Sequence, residues 1–246
     1  MDVGEVVLIG GGALVTSALT AVLGFGGGIV LLALLLLVVD PIVAIPLHAA
    51  IQIASNGSRT VIRRRDVDWG IVTRSSLLLL PAGALTVPLA RAAPEAALQV
   101  AIAVTVLVAT WVPERTALEV PAPSGPAWIG VGAVAGALNP LVGATGPLFA
   151  PLYKAASATR QRFVGTFAGT QVAGHPAKLV LFGAAGLAPT GHLPAVAAGI
   201  VGVVVGTELG SRVLDRMSEQ RFRSLYLAAI TAVAVYLVVD GVAGAG

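Results

Sequence analysis

Eight hydrophobic segments follow one another along the chain, separated by short polar stretches. Their approximate bounds are 6–39, 41–62, 69–90, 95–111, 126–153, 161–183, 190–211 and 220–240. A helix of about 17 to 25 residues crosses the hydrocarbon core of a membrane, which is about 30 Å thick. The pattern therefore predicts an all-α, polytopic membrane protein.

Two of these segments are interrupted by glycines. The first break is the run Gly24-Phe25-Gly26-Gly27-Gly28, and the second is Gly143-Ala144-Thr145-Gly146-Pro147. Lipid tolerates unwound backbone only where protein or a water-filled cavity surrounds it. Paired broken helices are the best indication in a sequence of a transporter's substrate site.

The two breaks belong to halves that resemble each other. An offset of 119 residues places Gly24 on Gly143, Gln52 on Gln171 and Gly83 on Gly202. A polar stretch with three prolines separates the halves. We therefore predict a first membrane repeat over 1–111, a cytoplasmic linker over 112–125 and a second repeat over 126–246, together forming one integrated transmembrane domain.

The basic residues indicate how the broken segments lie in the membrane. If both segments turn back at their glycines as re-entrant hairpins, every loop Lys and Arg except Arg91 falls on one side. The positive-inside rule favours that topology over eight straight spans. The predicted hairpin arms have eleven residues each, as in Ala13–Leu23 and Ile29–Val39. Each repeat then has one hairpin and three transmembrane helices, so the repeats are inverted relative to each other. The alternative is a long, tilted helix with a glycine-rich packing face.

Composition narrows the function. The chain of 246 residues is 57% hydrophobic and 11% charged, with a mean hydropathy of +0.92 and no cysteine. The net charge of +3 comes from arginines beside the spans, which does not indicate nucleic-acid binding. The sequence has no phosphate-binding loop, zinc-protease motif or nucleophile–base set. We therefore predict neither an enzyme nor a cofactor or metal site.

The breaks are the first candidate binding residues. A short helix begins after each break, and its free N–H groups and positive dipole end favour an anion. Glycines allow a ligand to approach the backbone closely. The residues predicted to bind substrate here are Gly24, Phe25, Gly26, Gly27, Gly28, Gly143, Thr145 and Gly146.

A polar stripe beside the breaks adds further candidates. His48, Gln52 and Asn56 share one face of their helix, and Gln171 and His175 take up the positions of Gln52 and Asn56 in the second half. We predict that these two glutamines, Asn56 and His175 bind substrate oxygens. The alternative is hydrogen bonding between helices, which we favour for His48.

Four residues are candidates for a gate or for coupling to protons: Arg59, Lys178, Glu208 and His48. Arg59 and Lys178 could attract an anion or could extend to the membrane surface. His175 is the best proton carrier, because histidine titrates near neutral pH, and Glu208 is second.

The glycine motifs at 24–28 and 143–146, with the basic loop that ends in Val67-Asp68-Trp69, resemble the TauE/SafE sulfite exporter family over essentially the whole chain. The resemblance implies a bacterial inner-membrane transporter of small sulfur-containing anions, such as sulfite or organosulfonates. Thr145 and Pro147 replace part of the glycine run in the second motif.

We therefore expect a secondary transporter of a small sulfur oxyanion, working by alternating access, with proton coupling left open. An anion channel, a transporter of a carboxylate or phosphonate, and a membrane scaffold remain alternatives. The expected partners are the anionic substrate and the lipid bilayer, with no nucleic acid, and a homo-oligomer is left open.

Overall fold

In a computed structural model, residues 1–23, 26–111, 121–213 and 219–243 are described, and every regular element within them is helical. The α-helices are α1 Val3–Leu23, α2 Gly27–Leu35, α3 Pro41–Ile62, α4 Trp69–Ser76, α5 Leu79–Ala92, α6 Glu95–Trp111, α7 Ala127–Val142, α8 Gly146–Ala155, α9 Arg160–Ala184, α10 Leu193–Val213 and α11 Glu219–Ala243. A short 3-10 helix, Pro189–His192, precedes α10. Most of the predicted linker, residues 112–120, lies outside the described residues.

The all-α prediction is confirmed, and the surface is apolar. By length and composition, two helical segments of the described chain, Trp69–Ala92 and Pro189–Leu209, can cross a membrane, and four shorter apolar helices accompany them. Large hydrophobic side chains such as Val3, Ile62 and Leu85 are exposed on several helices. Water does not favour apolar surface on this scale, whereas a lipid environment does.

The helices on either side of the first break, α1 and α2, run in opposite directions. An ideal Cβ built on Gly27 would lie 2.0 Å from the Thr16 carbonyl oxygen, and one built on Gly12 would lie 3.2 Å from Leu34. A later residue of α2 thus contacts an earlier residue of α1, so the two helices are antiparallel. The eleven-residue length predicted for the first arm is wrong, because α1 begins at Val3 and has 21 residues.

The second broken segment bends at Gly143. This glycine ends α7 with φ 69°, a left-handed conformation that favours glycine, as Gly26 does with φ 98° before α2. Pro147 lies in the first turn of α8, where its missing N–H removes no helical hydrogen bond.

The segment predicted as one helix over 69–90 is two helices. The interruption falls at Leu77 and Leu78, between α4 and α5. Pro81 lies four residues after Leu77, and a proline ring clashes with the carbonyl group of the fourth residue before it. In addition, the hydroxyl groups of Ser75 and Ser76 donate to the Val72 carbonyl of the preceding turn.

Helices of the two halves pack on each other in matching pairs. α1 packs on α10, and α7 packs on α5, while α3 packs on α9 and α6 on α11. Both outer pairs depend on glycines. An ideal Cβ on Gly202 would lie 2.2 Å from the Gly10 carbonyl oxygen, and one on Gly136 would lie 2.4 Å from the Leu79 carbonyl oxygen. Small residues allow such close backbone approach in membranes.

An ion pair joins the loop after α3 to the start of α9. The Arg162 guanidinium donates to the Asp68 carboxylate over 2.6 Å, and the Asp68 backbone N–H donates to Thr166 Oγ1 over 2.9 Å. Partial burial would raise the pKa of Asp68, but the hydrogen bond from the Ile71 amide and the contact with Arg162 outweigh it and hold the pKa below its ordinary value. The pair therefore stays ionised at neutral pH, and it holds the two loops at one end of the molecule.

Gly202→Ala tests the packing of α1 on α10. The added methyl would meet the backbone of α1, which cannot move aside as a flexible side chain can, so we expect a clearly lower midpoint of thermal unfolding in detergent. Gly183→Ala is the matched control, because nothing lies within 4 Å of its Cβ position and alanine is the better helix former. Equal midpoints for both variants would contradict the close approach.

Candidate functional site

A cavity of about 40 Å³ lies between the two breaks and the polar faces of α3 and α9. Nine of the predicted residues line it: Gly26, Gly28, His48, Gln52, Asn56, Arg59, Gly146, Gln171 and His175. They come from both halves of the chain. The structure therefore brings the whole polar stripe and three of the eight predicted break residues around one space.

The polar stripes of α3 and α9 meet at equivalent positions of the two halves. Asn56 Nδ2 lies 3.2 Å from His175 Nε2, and the two residues are 119 positions apart, which is the offset predicted to relate the halves. The rings of His48 and His175 meet edge to face, with centroids 5.6 Å apart. His48 Nε2 also donates to the Gly28 carbonyl over 2.8 Å, so the inter-helix hydrogen bond favoured for His48 is present.

The start of each short helix faces a glutamine. In α2 the first helical hydrogen bonds are donated by Ile29 and Val30 to the Gly26 carbonyl, which leaves the N–H groups of Gly27 and Gly28 without an acceptor inside the helix. An ideal Cβ on Gly28 would lie 2.3 Å from Gln52 Nε2. The second half repeats this arrangement, because a Cβ on Gly146 would lie 3.3 Å from Gln171 Oε1.

Arg59 is the charged residue of the cavity. Among the described residues that line the cavity, no other side chain is permanently charged and none is acidic. Arg59 does not extend toward the arginine loop. Its Nε donates to the Ser55 carbonyl, and its Nη2 donates to Ser55 Oγ over 2.9 Å. These bonds turn the guanidinium back along α3, toward the cavity.

Lys178 is buried and does not extend to the surface. It is 2% exposed, and its ammonium group donates a short hydrogen bond to the Gly143 carbonyl. The cation thereby meets the last turn of α7, where carbonyl groups make the negative end of the helix dipole. The surface-reaching alternative is wrong for Lys178, and the residue does not line the cavity.

Other predicted residues have packing or turn contacts instead of a place in the cavity. Gly27 faces Thr16 and Thr20 of α1, and Gly143 faces Leu32 and Ile45. The Thr145 hydroxyl donates to Asn139 Oδ1 on α7, across the second break. Glu208 lies on an exposed face of α10. Gly24 and Phe25 lie outside the described residues.

Five lining residues were not among the predicted binding residues: Thr20, Ile29, Ala144, Pro147 and Phe167. The sequence contained a pattern that could have identified Thr20. Thr16, Ser17 and Thr20 are a hydroxyl cluster at helical spacing just before the first break, on a helix whose residues after Glu5 are otherwise apolar. In the second half, Phe167 occupies the position that corresponds to His48, so the offset of 119 residues could have identified it.

A family model described as "Sulfite exporter TauE/SafE" matches residues 8–237. The match covers nearly the whole chain and includes both breaks, the basic loop and all lining residues of the cavity. The chain belongs to the TauE/SafE sulfite exporter family. No significant match was found among curated proteins or among solved structures.

Family membership, together with the apolar helical surface, makes this a membrane protein of a transporter family. It is consistent with the prediction that the chain is not an enzyme. Which residues bind the transported anion stays a prediction, and the cavity is the place where the predicted residues meet.

Gly28→Ala tests the cavity directly. The added methyl would overlap the Gln52 amide, which is the mobile end of a flexible side chain, so we expect the protein to fold and the amide to be displaced. Loss of a hydrogen bond to a charged ligand would weaken sulfite binding about tenfold or more, measured by calorimetry. The matched control is Gly57→Ala on α3, where nothing lies within 4 Å of the new methyl. Unchanged affinity in Gly28→Ala would exclude the Gly28–Gln52 contact from the binding site.

Proposed function

We propose that this TauE/SafE protein is a secondary transporter that moves a small sulfur oxyanion across the bacterial inner membrane by alternating access. The observation that carries the proposal is the charge and donor content of the cavity. One guanidinium, three carboxamides and the starts of two helices face it, and no acidic side chain lies among its described lining residues. Such a set favours an anion over a cation or a neutral solute.

The size of the cavity favours a compact anion. At about 40 Å³, it has room for roughly three water molecules. Three oxygen atoms around one sulfur, as in sulfite, occupy a comparable space. An organosulfonate with a carbon chain would require the cavity to widen. The proposed substrate is therefore sulfite in preference to organosulfonates, carboxylates or larger phosphonates.

The pairing of helices supports two inverted repeats. At an offset of 119 residues, α1 corresponds to α7 and α5 to α10, and the contact of α1 with α10 corresponds to that of α7 with α5. The central pair, α3 and α9, meets at the equivalent residues Asn56 and His175. Equivalent residues touch in this way when a two-fold axis passes between them. Inverted repeats around a central site are a common basis of alternating access.

The Asp68–Arg162 pair supports the re-entrant topology. Between these residues the chain contains α4 with α5, then α6, and then the broken segment of α7 and α8. Two spans and a hairpin return the chain to the side on which it started, whereas three straight spans would end on the other side. A bond between the two loops therefore favours the hairpin, and the positive-inside rule makes this side cytoplasmic.

Transport is tested in proteoliposomes with radiolabelled sulfite. We expect saturable flux that is abolished in the double variant Gln52→Ala with Gln171→Ala, because the carboxamides that face the two helix starts are removed. The Gly57→Ala protein is the control for folding and insertion. Flux that does not saturate would favour a channel, and undiminished flux in the double variant would remove the glutamines from the site.

Topology is tested by single cysteines, since the chain has no cysteine of its own. We expect cysteines at Arg65 and Lys154 to react with an impermeant maleimide from the same side, and one at Arg91 to react from the other side. The straight-span alternative places Arg65 and Lys154 on opposite sides, and Arg91 together with Lys154. The pattern of the three labels therefore separates the two topologies.

A further inference from the structure

Two histidines of the cavity each have a ring nitrogen without a partner. Within the described part of the chain, the buried side-chain nitrogen and oxygen atoms that lack a hydrogen bond are His48 Nδ1 and His175 Nδ1. Both side chains are at least nine-tenths buried, and both rings line the cavity. Leaving a buried polar atom unpaired lowers stability, and a bound ligand can supply the missing partner.

The hydrogen bond of His48 determines which of its nitrogens carries the hydrogen. Nε2 lies 2.8 Å from the Gly28 carbonyl oxygen, which can only accept. Nε2 therefore carries the hydrogen and donates it. In a neutral imidazole the other nitrogen then has a lone pair, so His48 Nδ1 is a hydrogen-bond acceptor.

His175 has the opposite tautomer. Asn56 Nδ2 donates to the Gln52 carbonyl oxygen over 3.1 Å, which identifies this atom as the amide nitrogen. The same amide group lies 3.2 Å from His175 Nε2 and donates to it. Nε2 is then the acceptor of the neutral ring, and His175 Nδ1 carries the hydrogen. The two rings that line the cavity therefore carry one unpaired donor and one unpaired acceptor.

The charged surroundings favour neutral rings. Arg59 on α3 and Lys178 on α9 are the charged side chains near them. α2 has no ionisable side chain, and α1 and α8 contribute only Thr20, Gly146 and Pro147 to the cavity. A further positive charge on either ring would be buried beside two cations without a described acidic partner in the cavity.

We propose that the two histidines select the singly protonated form of a dibasic oxyanion, such as hydrogen sulfite, over its dianion. His175 Nδ1–H donates to a charged oxygen, and His48 Nδ1 accepts the hydrogen of the anion's hydroxyl group. The dianion has no hydrogen for His48, so its oxygen would face a lone pair. Arg59 supplies one positive charge, which balances a monoanion. The inference rests on the proposed function, and no covalent bond is made or broken, since the proton travels with the anion.

The test compares sulfite with chlorate. Chlorate is also a pyramidal anion with three oxygens, but it has a single fixed charge and no hydrogen at neutral pH. Calorimetry on the purified protein in nanodiscs, from pH 5.5 to 8.5, gives both affinities. We expect the affinity for total sulfite to fall at least tenfold as hydrogen sulfite loses its proton. Chlorate should bind more weakly than sulfite at pH 5.5, with an affinity that does not change with pH.

The variant His48→Phe removes the acceptor, and phenylalanine already occupies the corresponding position 167 of the other half. We expect this variant to bind sulfite with little dependence on pH. His48→Gln retains a donor for the Gly28 carbonyl and an acceptor for the ligand, so it should keep the preference of the parent protein. It also provides a second measurement if His48→Phe does not fold.

The outcomes distinguish the two proposals. A wild-type sulfite affinity independent of pH would overturn this inference and leave the proposed function in place. An equal fall in chlorate affinity would also overturn it, because the protein would then be the titrating partner. A wild-type pH profile in His48→Phe would exclude His48 as the acceptor. Absence of sulfite binding at every pH would overturn the proposed function and this inference together.

Discussion

Buried polar groups in an otherwise apolar chain must find partners inside the protein, and the contacts of α3 with α9 and α2 supply them for Asn56 and for Nε2 of both histidines. Asn56 bonds both to the Gln52 carbonyl of its own helix and to His175 of the other. His48 extends the network to the Gly28 carbonyl, at the start of α2. A helix break that would be unfavourable in lipid is thereby held by side chains of an intact helix.

Glycines bring the remaining helices close enough for this arrangement. On the outer pairs they allow backbone to meet backbone, as between Gly202 and α1, and at the breaks they allow a carboxamide to lie over the helix start. The two uses differ in consequence. A substitution at the outer pairs meets rigid backbone and destabilises the packing, whereas one at Gly28 meets a flexible side chain and alters the cavity. The thirty glycines of the chain therefore include some that permit helix packing and others that shape the cavity.

Hydrophobic pattern predicts where helices lie much better than it predicts what their polar residues contact. The bounds of α3 and α6 agree with those of the segments 41–62 and 95–111, because each begins at or just after a proline and is followed by a polar stretch. The interruption at Leu77 was missed, since it is imposed by Pro81 from four residues away. The surface-reaching alternative for Lys178 was wrong, because the partner of its ammonium group is a backbone carbonyl 35 residues distant. Tautomers could not be predicted at all, as they depend on which atom each ring nitrogen faces.

The differences between the halves matter as much as their likeness. If two inverted repeats exchange conformations during transport, identical halves would make the inward-open and outward-open states equal in free energy. This chain has His48 where the other half has Phe167, and half-buried Arg59 where the other half has buried Lys178. Lys178 holds the second break through Gly143, while Arg59 bonds within its own helix at Ser55. The second break is thus held by a cation that does not line the cavity, whereas the cation of the first half, Arg59, lines it. An exchange of conformations would either break the contact of Lys178 with Gly143 or keep it. Because the described residues of the first half make no equivalent contact, the two states would differ in free energy in either case.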